Sequence, residues 1–269
     1  MKTFKQFLVE VLYKADFKEL IPSDYSSSHE IKKYIDHNNV SYYVKTPSTY
    51  LYENYIDPNI HLLVEYLSYK IYSLFGIPVP DVDLYIDDDT ISLASTESKG
   101  KHILMADLPK FKDFVKGFAV DIFIANWDVA GSGKIAGNLI IDNKGAVTRI
   151  DPGGALSFRA RGARKGNAFS DSVLEIDTMR NNKYSPPAET YNSHYDEIKL
   201  SFKTFLSHPW NTIKANIIKF NNENIIDVLT SENKFDIVAE WETEFKYIMN
   251  KLHHRYYDMI VLSNKLHEE

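Results

Sequence analysis

Two residues early in the chain could together provide a positive charge at nucleotide phosphates, one by carrying it and the other by fixing its position. Lys45 ends a predicted strand, and Glu65 lies in the next predicted helix. A strand lysine can steady the α- and β-phosphates of a nucleotide, and a helix glutamate can fix the position of that lysine. Each residue alone would be an ordinary surface residue, so the indication comes from their combination.

Three further residues complete a set suited to phosphoryl transfer. Asp128 follows an apolar segment, Asn138 begins a short predicted strand ten residues later, and Asp151 ends the strand after that. Asp128 could accept a proton from the attacking hydroxyl or orient it, while Asn138 offers an amide oxygen to Mg²⁺. Asp151 precedes Pro152-Gly153-Gly154, where the backbone can turn sharply, and could bind the same ion. Taken singly, Asn138 is as readily a turn residue and Asp151 a cap.

The elements that must position this set are predicted from periodicity and turn residues. Gly76 ends the Glu65 helix, and Pro78 and Pro80 prevent it from resuming. Strands are expected in hairpins, and the region beyond residue 170 is expected to be mainly helical. The predicted strands cover 30–35, 40–45, 82–86, 90–94, 139–141 and 147–150, and the predicted helices cover 59–75, 111–126 and 235–266.

This order of elements predicts an α+β fold with two lobes. Residues 17–98 form a small β-rich N-terminal lobe, and residues 99–269 form a larger, mainly helical C-terminal lobe. Residues 1–16 precede both, and the apolar residues of 1–14 have the spacing of a short amphipathic helix. This first segment is therefore expected to be an N-terminal helix or a segment removed by processing.

Composition excludes several classes of function. The formal net charge is −6, which argues against a protein that binds nucleic acid through overall positive charge. The absence of cysteine excludes disulfides, thiolate catalysis and Cys-ligated metals. No apolar run approaches the roughly 20 residues that span a bilayer. We therefore expect no membrane insertion and a cytoplasmic location.

Three segments resemble those of HipA-like kinases and, more distantly, phosphatidylinositol kinases. The segments 65–80, 121–128 and 149–156 are similar to the glutamate helix, the entry to the catalytic loop and the metal-binding segment of that family. The resemblance implies a two-lobed protein-kinase-like fold, ATP and Mg²⁺ as cofactors, and a protein Ser or Thr as acceptor. The resemblance implies that Lys45 contacts phosphate and that Glu65 pairs with Lys45. It also implies that Asp128 is the catalytic aspartate and that Asn138 and Asp151 hold Mg²⁺.

The chain departs from this family at two places. The loop from Asp128 to Asn138 carries an insertion, and the glycine-rich phosphate loop is missing. In its place stand Ser26, Ser27 and Ser28, whose backbone amides and hydroxyls could bind phosphate oxygens. The adenine-binding hinge is expected near Ser95 and Glu97, after the second hairpin.

The N-terminus resembles the start of internal head proteins of large contractile-tailed phages. Leu8-Val9-Glu10 matches the short pattern that their prohead proteases cut. This resemblance implies a phage origin, a host protein as substrate, and either the host cytoplasm or the virion head as location.

A basic stretch directly follows the predicted metal-binding segment. Arg159, Arg161, Arg164 and Lys165 place four cations in seven residues of an acidic chain. This stretch is either a solvated loop or a loop that contacts an acidic or phosphorylated substrate, or the nucleotide phosphates.

The sequence thus predicts an ATP- and Mg²⁺-dependent kinase that acts on protein Ser or Thr hydroxyls. One alternative keeps the fold but changes the acceptor to a lipid or small molecule. Another is a non-catalytic, kinase-like binding module or phage virion protein, which the missing glycines favour and the retained polar set opposes. Nucleotidyl transfer, with ATP bound in reverse, is a third.

Overall fold

The chain folds into two lobes, one built on a β-sheet and the other mainly helical. The computed structural model describes residues 12–13, 16–21, 30–47, 58–87, 90–182 and 186–268. The sheet belongs to the N-terminal part of the chain, and the long helices belong to the C-terminal part. The predicted two-lobed α+β architecture is therefore confirmed.

The N-terminal lobe is built on a six-stranded sheet with the spatial order β1-β5-β6-β4-β3-β2. β1 pairs parallel to β5, and the other neighbours are antiparallel. Both predicted hairpins are present, and Asn39 adopts a left-handed φ of 64° at the first turn, as a tight turn favours. The strands are β1 (Leu12–Tyr13), β2 (Phe17–Ile21), β3 (Glu30–Asp36), β4 (Ser41–Thr46), β5 (Val82–Asp87) and β6 (Thr90–Thr96).

Helix α1 (Pro58–Leu74) lies between the sheet and the helical lobe. Almost every residue of its central turns is buried, because β5 and β6 pack on it from one side and helices of the C-terminal lobe from the other. Gly76 follows with φ 69°, a conformation that suits a helix end. The helix predicted over 59–75 is confirmed to within one residue at each end.

The C-terminal lobe begins with a short hairpin and continues as helices. Its longest helix packs against α1 and against the segment that leads to Asp128. No described helix combines the length and apolarity needed to cross a membrane. The elements are β7 (Leu139–Ile141), β8 (Val147–Arg149), α3 (Glu175–Arg180), α4 (Pro186–Ser193), α5 (Tyr195–Leu206), α6 (Trp210–Asn221), a π-type turn (Asn222–Ile226), α7 (Asp227–Ser231) and α8 (Phe235–Glu268).

The helix predicted over 111–126 is wrong in its first half. Two 3₁₀ segments, Met105–Lys110 and Lys112–Gly117, precede the short helix α2 (Phe118–Phe123). The Phe118 amide bonds to the Val115 carbonyl in 3₁₀ fashion, while the Phe114 carbonyl accepts from the Arg149 guanidinium at 2.7 Å. Arg149, which is distant in sequence, thus bonds to a backbone carbonyl that would accept a hydrogen bond within the helix if this segment were α-helical.

The predicted N-terminal helix is also wrong where the structure describes it. Leu12 and Tyr13 form β1, paired with Tyr85 and Ile86 of β5. Strand pairing across the sheet edge outweighs the weak helical preference of a short segment. The rest of the segment predicted to be helical or processed, residues 1–11 and 14–15, lies outside the described residues.

Candidate active site

Lys45 lies between two carboxylates at the junction of the lobes. Its Nζ is 2.7 Å from Oε2 of Glu65 and 2.6 Å from Oδ1 of Asp151. β4 supplies the lysine, α1 the glutamate, and the turn after β8 the aspartate. The expected contact between Lys45 and Glu65 is therefore present, and a third residue predicted for the site joins it.

Burial and charge set the protonation of this cluster. Burial opposes the charge on Lys45, but Asp151 and Glu65 outweigh it and raise the pKa of Lys45 above its ordinary value. Burial raises the pKa of Glu65 to about 7, against the attraction of Lys45. Asp151 carries a side chain that is 51% exposed, so it is the member of the cluster open to a ligand.

Helix α1 contributes two site residues that the sequence reasoning missed. His61 and Tyr69 lie one turn before and one turn after Glu65, on the same helix face. His61 Nε2 donates to the Gly153 carbonyl at 2.8 Å, and the Asp151 amide donates to the Tyr69 hydroxyl at 2.8 Å. Burial and the charge of Lys45 lower the pKa of His61 to about 4, which keeps the ring neutral. Their spacing of four residues from Glu65 could have indicated that they share its face of the helix.

The backbone after Asp151 lies directly against this helix. A Cβ on Gly153 would be 2.9 Å from Oε2 of Glu65 and 3.4 Å from Nε2 of His61. Any larger residue would displace the carboxylate that holds Lys45. The glycine predicted to allow a sharp turn thus also allows this close approach.

Asp128 and Asn138 are joined by hydrogen bonds at the start and end of the loop between them. The side-chain amide of Asn138 donates to the backbone carbonyl of Asp128 at 2.6 Å and to Oδ2 of Asp128 at 3.3 Å. Burial raises the pKa of Asp128; the bond from Asn138 opposes that shift, and the charge of Asp151 adds to it. Asp151 therefore lies near enough to act electrostatically on Asp128.

Left-handed backbone conformations cluster in the two segments that carry the aspartates. Ala125, Asp151 and Leu156 have φ of 54°, 50° and 51°, a region that costs a non-glycine residue about 1–3 kcal/mol. Specific bonds hold them, such as the Leu156 amide to the Ile124 carbonyl at 2.6 Å. The surrounding structure therefore imposes these conformations, as is common where side chains must be aimed.

The residues that could hold a cation offer oxygen atoms only. Asp151 presents a half-exposed carboxylate, Asn138 an amide oxygen and Asp128 a carboxylate, and the Ile150 amide bonds to the Asn138 carbonyl at 2.9 Å across the hairpin. Such donors fit Mg²⁺, which takes one or two protein ligands and completes its shell with water and phosphate. Within the described ranges, no group of three or more His, Asp or Glu side chains forms a metal cage.

The two residues predicted for the adenine hinge lie on the Lys45 side of the sheet. Ser95 pairs with Tyr43, two residues from the Lys45 and Leu93 pair, so alternation places all of them on one face. Glu97 accepts from Lys33 Nζ at 2.6 Å and from the Tyr43 hydroxyl at 2.9 Å. Ser26, Ser27 and Ser28, predicted to bind phosphate, lie outside the described residues.

The basic stretch is not uniformly solvated. Lys165 is 5% exposed, and its Nζ donates to the carbonyls of Ala125 at 2.5 Å and Gly154 at 2.7 Å. It therefore joins the segment leading to Asp128 with the segment following Asp151. Burial lowers the pKa of Lys165 to about 7; Glu175 opposes this shift, while Arg255 and Arg159 add to it.

We expect the free energy of unfolding of the wild-type protein to rise more steeply between about pH 7 and pH 9 than that of Lys165→Met. The lysine has a pKa of about 7 in the fold and 10.5 ordinarily, so the unfolded state binds more protons in this window. The slope difference is then up to about 1.4 kcal/mol per pH unit. Urea unfolding across this range measures it, with the exposed Lys214→Met as control. If Lys165→Met showed the same dependence of unfolding free energy on pH as the wild type, the lowered pKa of Lys165 would be refuted.

A buried ion pair connects β8, which leads to Asp151, with α2, which leads to Asp128. Arg149, two residues before Asp151, donates from Nε and Nη2 to Asp121 at 2.7 Å each. The Tyr72 hydroxyl of α1 also donates to Asp121, at 2.8 Å. A Cβ on Gly117 would be 2.3 Å from the Arg149 guanidinium carbon, so only glycine fits there. α1, α2 and β8 are thus joined below the site.

Comparison with known proteins gives distant structural likenesses. The fold is similar to that of the Helicobacter pylori proinflammatory kinase CtkA, at 13% identity, covering 84% of this chain and 99% of that chain, with a TM-score of 0.44. It is also similar to an aminoglycoside phosphotransferase from Alicyclobacillus acidocaldarius, at 9% identity, covering 96% and 95%, with a TM-score of 0.39.

A MAP kinase from Leishmania major is a third such neighbour, at 10% identity, covering 76% of this chain and 61% of that chain, with a TM-score of 0.28. No protein-family model matches the sequence, and no curated protein matches it significantly. All three TM-scores lie below 0.5. The resemblance to HipA-like kinases and the phage origin stay predictions.

Proposed function

We propose that this protein is an ATP- and Mg²⁺-dependent kinase that transfers the γ-phosphoryl group to a protein Ser or Thr hydroxyl. The observation that carries the proposal is the position of Lys45 Nζ, within 2.7 Å of carboxylate oxygens of both Glu65 and Asp151. A strand lysine held by a helix glutamate beside a metal-binding aspartate is the arrangement that phosphoryl transfer in protein kinases uses.

Lys45 supplies positive charge at a fixed position. Glu65, buried on α1, holds the ammonium from one side, and the more exposed Asp151 can exchange its contact with Lys45 for a cation. Lys45 would then face the α- and β-phosphates of ATP. A charge that is already oriented needs no reorganisation as the reaction proceeds.

Asp128 is the residue suited to receive the proton of the acceptor. As the acceptor oxygen bonds to the γ-phosphorus and the bridging oxygen leaves with ADP, the hydroxyl proton passes to the Asp128 carboxylate. Burial raises the pKa of this carboxylate, which strengthens it as a base. Asn138 holds its orientation through the bond to Oδ2.

The residues that would hold Mg²⁺ are Asp151 and Asn138. When bound, the ion would neutralise charge that develops on the phosphate oxygens. Tyr69 fixes the backbone of Asp151, and the hairpin bond between Ile150 and Asn138 sets the distance between the two ligand positions.

The choice of a protein acceptor rests on the resemblance of segments 65–80, 121–128 and 149–156 to HipA-like kinases. Lipid and small-molecule acceptors require the same transfer machinery, so the acceptor must be identified by experiment. A host protein as target, the cytoplasm as location and packaging in a virion remain predictions at the same level.

Incubation with Mg²⁺ and γ-labelled ATP tests the proposal. We expect the wild-type protein to release ADP and to transfer label to itself or to a protein in a substrate panel, detected by intact mass. Lys45→Met should do neither, because it removes the only charge between Glu65 and Asp151 that the described structure shows. Absence of ADP release, together with no thermal shift on adding Mg·ATP, would contradict the proposal.

A further inference from the structure

The four cations that follow the Asp151 segment divide into two pairs. Lys165 is buried, and Arg164 bonds to Glu244 and lies 5.0 Å from the centroid of the Phe158 ring. Arg159, Arg161 and Arg164 all occupy exposed positions, but these two contacts hold the guanidinium of Arg164 against the fold. The first pair therefore stabilises the fold, and the second pair, Arg159 and Arg161, is presented at the surface.

The turn that carries the exposed pair is closed on itself. The Arg159 amide donates to the Ala163 carbonyl at 2.7 Å, and the Gly162 amide donates to the Arg159 carbonyl at 2.8 Å. Phe158, fully buried, pairs with Arg164 in an antiparallel bridge at the base of the turn. These bonds fix where the backbone presents the two guanidinium groups.

This turn borders Asp128. The position that a Cβ on Gly154 would occupy lies 3.1 Å from Cβ of Asp128 and 3.3 Å from the amide nitrogen of Ala160. Ala160 stands between the two exposed arginines. The backbone of the turn that carries both arginines therefore lies next to Asp128, the residue that the proposed function assigns to the acceptor hydroxyl.

One of the exposed arginines, Arg159, acts electrostatically on the buried Lys165. The net charge of the protein is −6, yet Arg159 and Arg255 both lower the pKa of the buried Lys165, beyond the effect of burial and against that of Glu175. The field of Arg159 thus reaches the lysine that joins the two aspartate segments. A carboxylate on an incoming chain would be attracted here, and a cation repelled.

We propose that Arg159 and Arg161 select protein acceptors that carry Asp or Glu close to the hydroxyl to be phosphorylated. The inference rests on the proposed function and deepens it by naming the substrate class. Guanidinium groups bind carboxylates through charge-assisted hydrogen bonds. An acidic residue near the acceptor should therefore raise kcat/KM about tenfold over alanine at the same position.

Synthetic peptides with one serine and flanking Glu, Ala or Lys test this selection. We expect the wild type to prefer the Glu peptide, with the preference shrinking as salt is raised. The double variant Arg159→Gln/Arg161→Gln should lose the preference, and Arg159→Glu/Arg161→Glu should invert it. The variant Lys203→Glu/Lys214→Glu, with the same change in net charge on exposed positions of α5 and α6, should keep the wild-type order.

The outcomes separate this inference from the proposed function. Equal transfer to all three peptides, or preference for the Lys peptide, overturns the inference and leaves the kinase assignment in place. A preference that survives in the Gln variant, with its thermal unfolding midpoint unchanged, overturns the role of the arginines. Transfer to phosphatidylinositol vesicles but to no peptide overturns the substrate class. Absence of any ADP release overturns both proposals.

Discussion

Asp128→Asn is expected to lower the rate of phosphoryl transfer by roughly 10²–10⁴-fold. The amide keeps the size of the side chain but cannot accept the hydroxyl proton. Nucleotide binding should change little, because Lys45, Glu65 and Asp151 remain in contact with one another. Single-turnover transfer from labelled ATP measures the first effect, and the thermal shift with Mg·ATP measures the second.

The matched control for Asp128→Asn is Asp177→Asn, the same change at an exposed position of α3. It should retain the wild-type rate within about twofold, since surface substitutions of this kind rarely perturb the fold. If Asp128→Asn also retained that rate, the carboxylate would not be the proton acceptor. A loss of nucleotide binding together with rate would instead assign Asp128 to the metal.

Asp121→Leu is expected to reduce the free energy of unfolding by about 3–5 kcal/mol. The substitution leaves the Arg149 guanidinium buried without the carboxylate that accepts two of its bonds, and it removes the acceptor of the Tyr72 hydroxyl. Urea unfolding measures the effect. The double variant Asp121→Leu/Arg149→Met should recover part of the loss, because it no longer buries an uncompensated charge.

An exposed ion pair provides the comparison for this loss. Asp107 pairs with Lys110 at 2.5 Å, and both side chains are substantially exposed. Asp107→Ala should therefore cost less than about 1 kcal/mol. Equal costs at Asp121 and Asp107 would show that the Arg149 pair does not join the segments as described.

The catalytic consequence of the buried pair follows from its position. Arg149 precedes Asp151 by two residues on β8, and Asp121 lies on α2, which leads to Asp128. Loosening this pair should disturb the relative placement of Asp128 and Asp151 before the protein unfolds globally. In the partly recovered double variant, transfer should therefore stay below the wild-type rate even at temperatures where the variant is folded.

Local pattern was sufficient to predict most elements of the fold. The two N-terminal hairpins, α1, the β7–β8 hairpin and the terminal helix all follow from periodicity and from turn residues such as Asn39 and Gly76. These signals lie within a few residues of the elements they define. The five residues of the predicted site were likewise chosen from their types and their order along the chain, and their roles stay predictions.

Contacts between distant residues account for what local pattern could not predict. The helix expected over 111–126 gives way to 3₁₀ turns because Arg149, more than 30 positions away, takes the Phe114 carbonyl. The basic stretch divides into buried and exposed cations only because Gly154 and Ala125 bring their carbonyls to Lys165. The residues adjacent to Phe114 and to Lys165 in the sequence predict neither of these contacts.

The sequence by itself determined the types of the site residues, the two-lobed order of elements and the exclusion of thiol chemistry. Only the tertiary structure decided that Asp151 contacts Lys45, that His61 and Tyr69 position the segment around it, and that the turn at Ala160 lies next to Asp128. Residue type and spacing indicate which chemistry a side chain is capable of. Which side chains meet depends on packing between segments up to about a hundred residues apart, where burial and charge compensation, rather than local preference, set the lowest free energy.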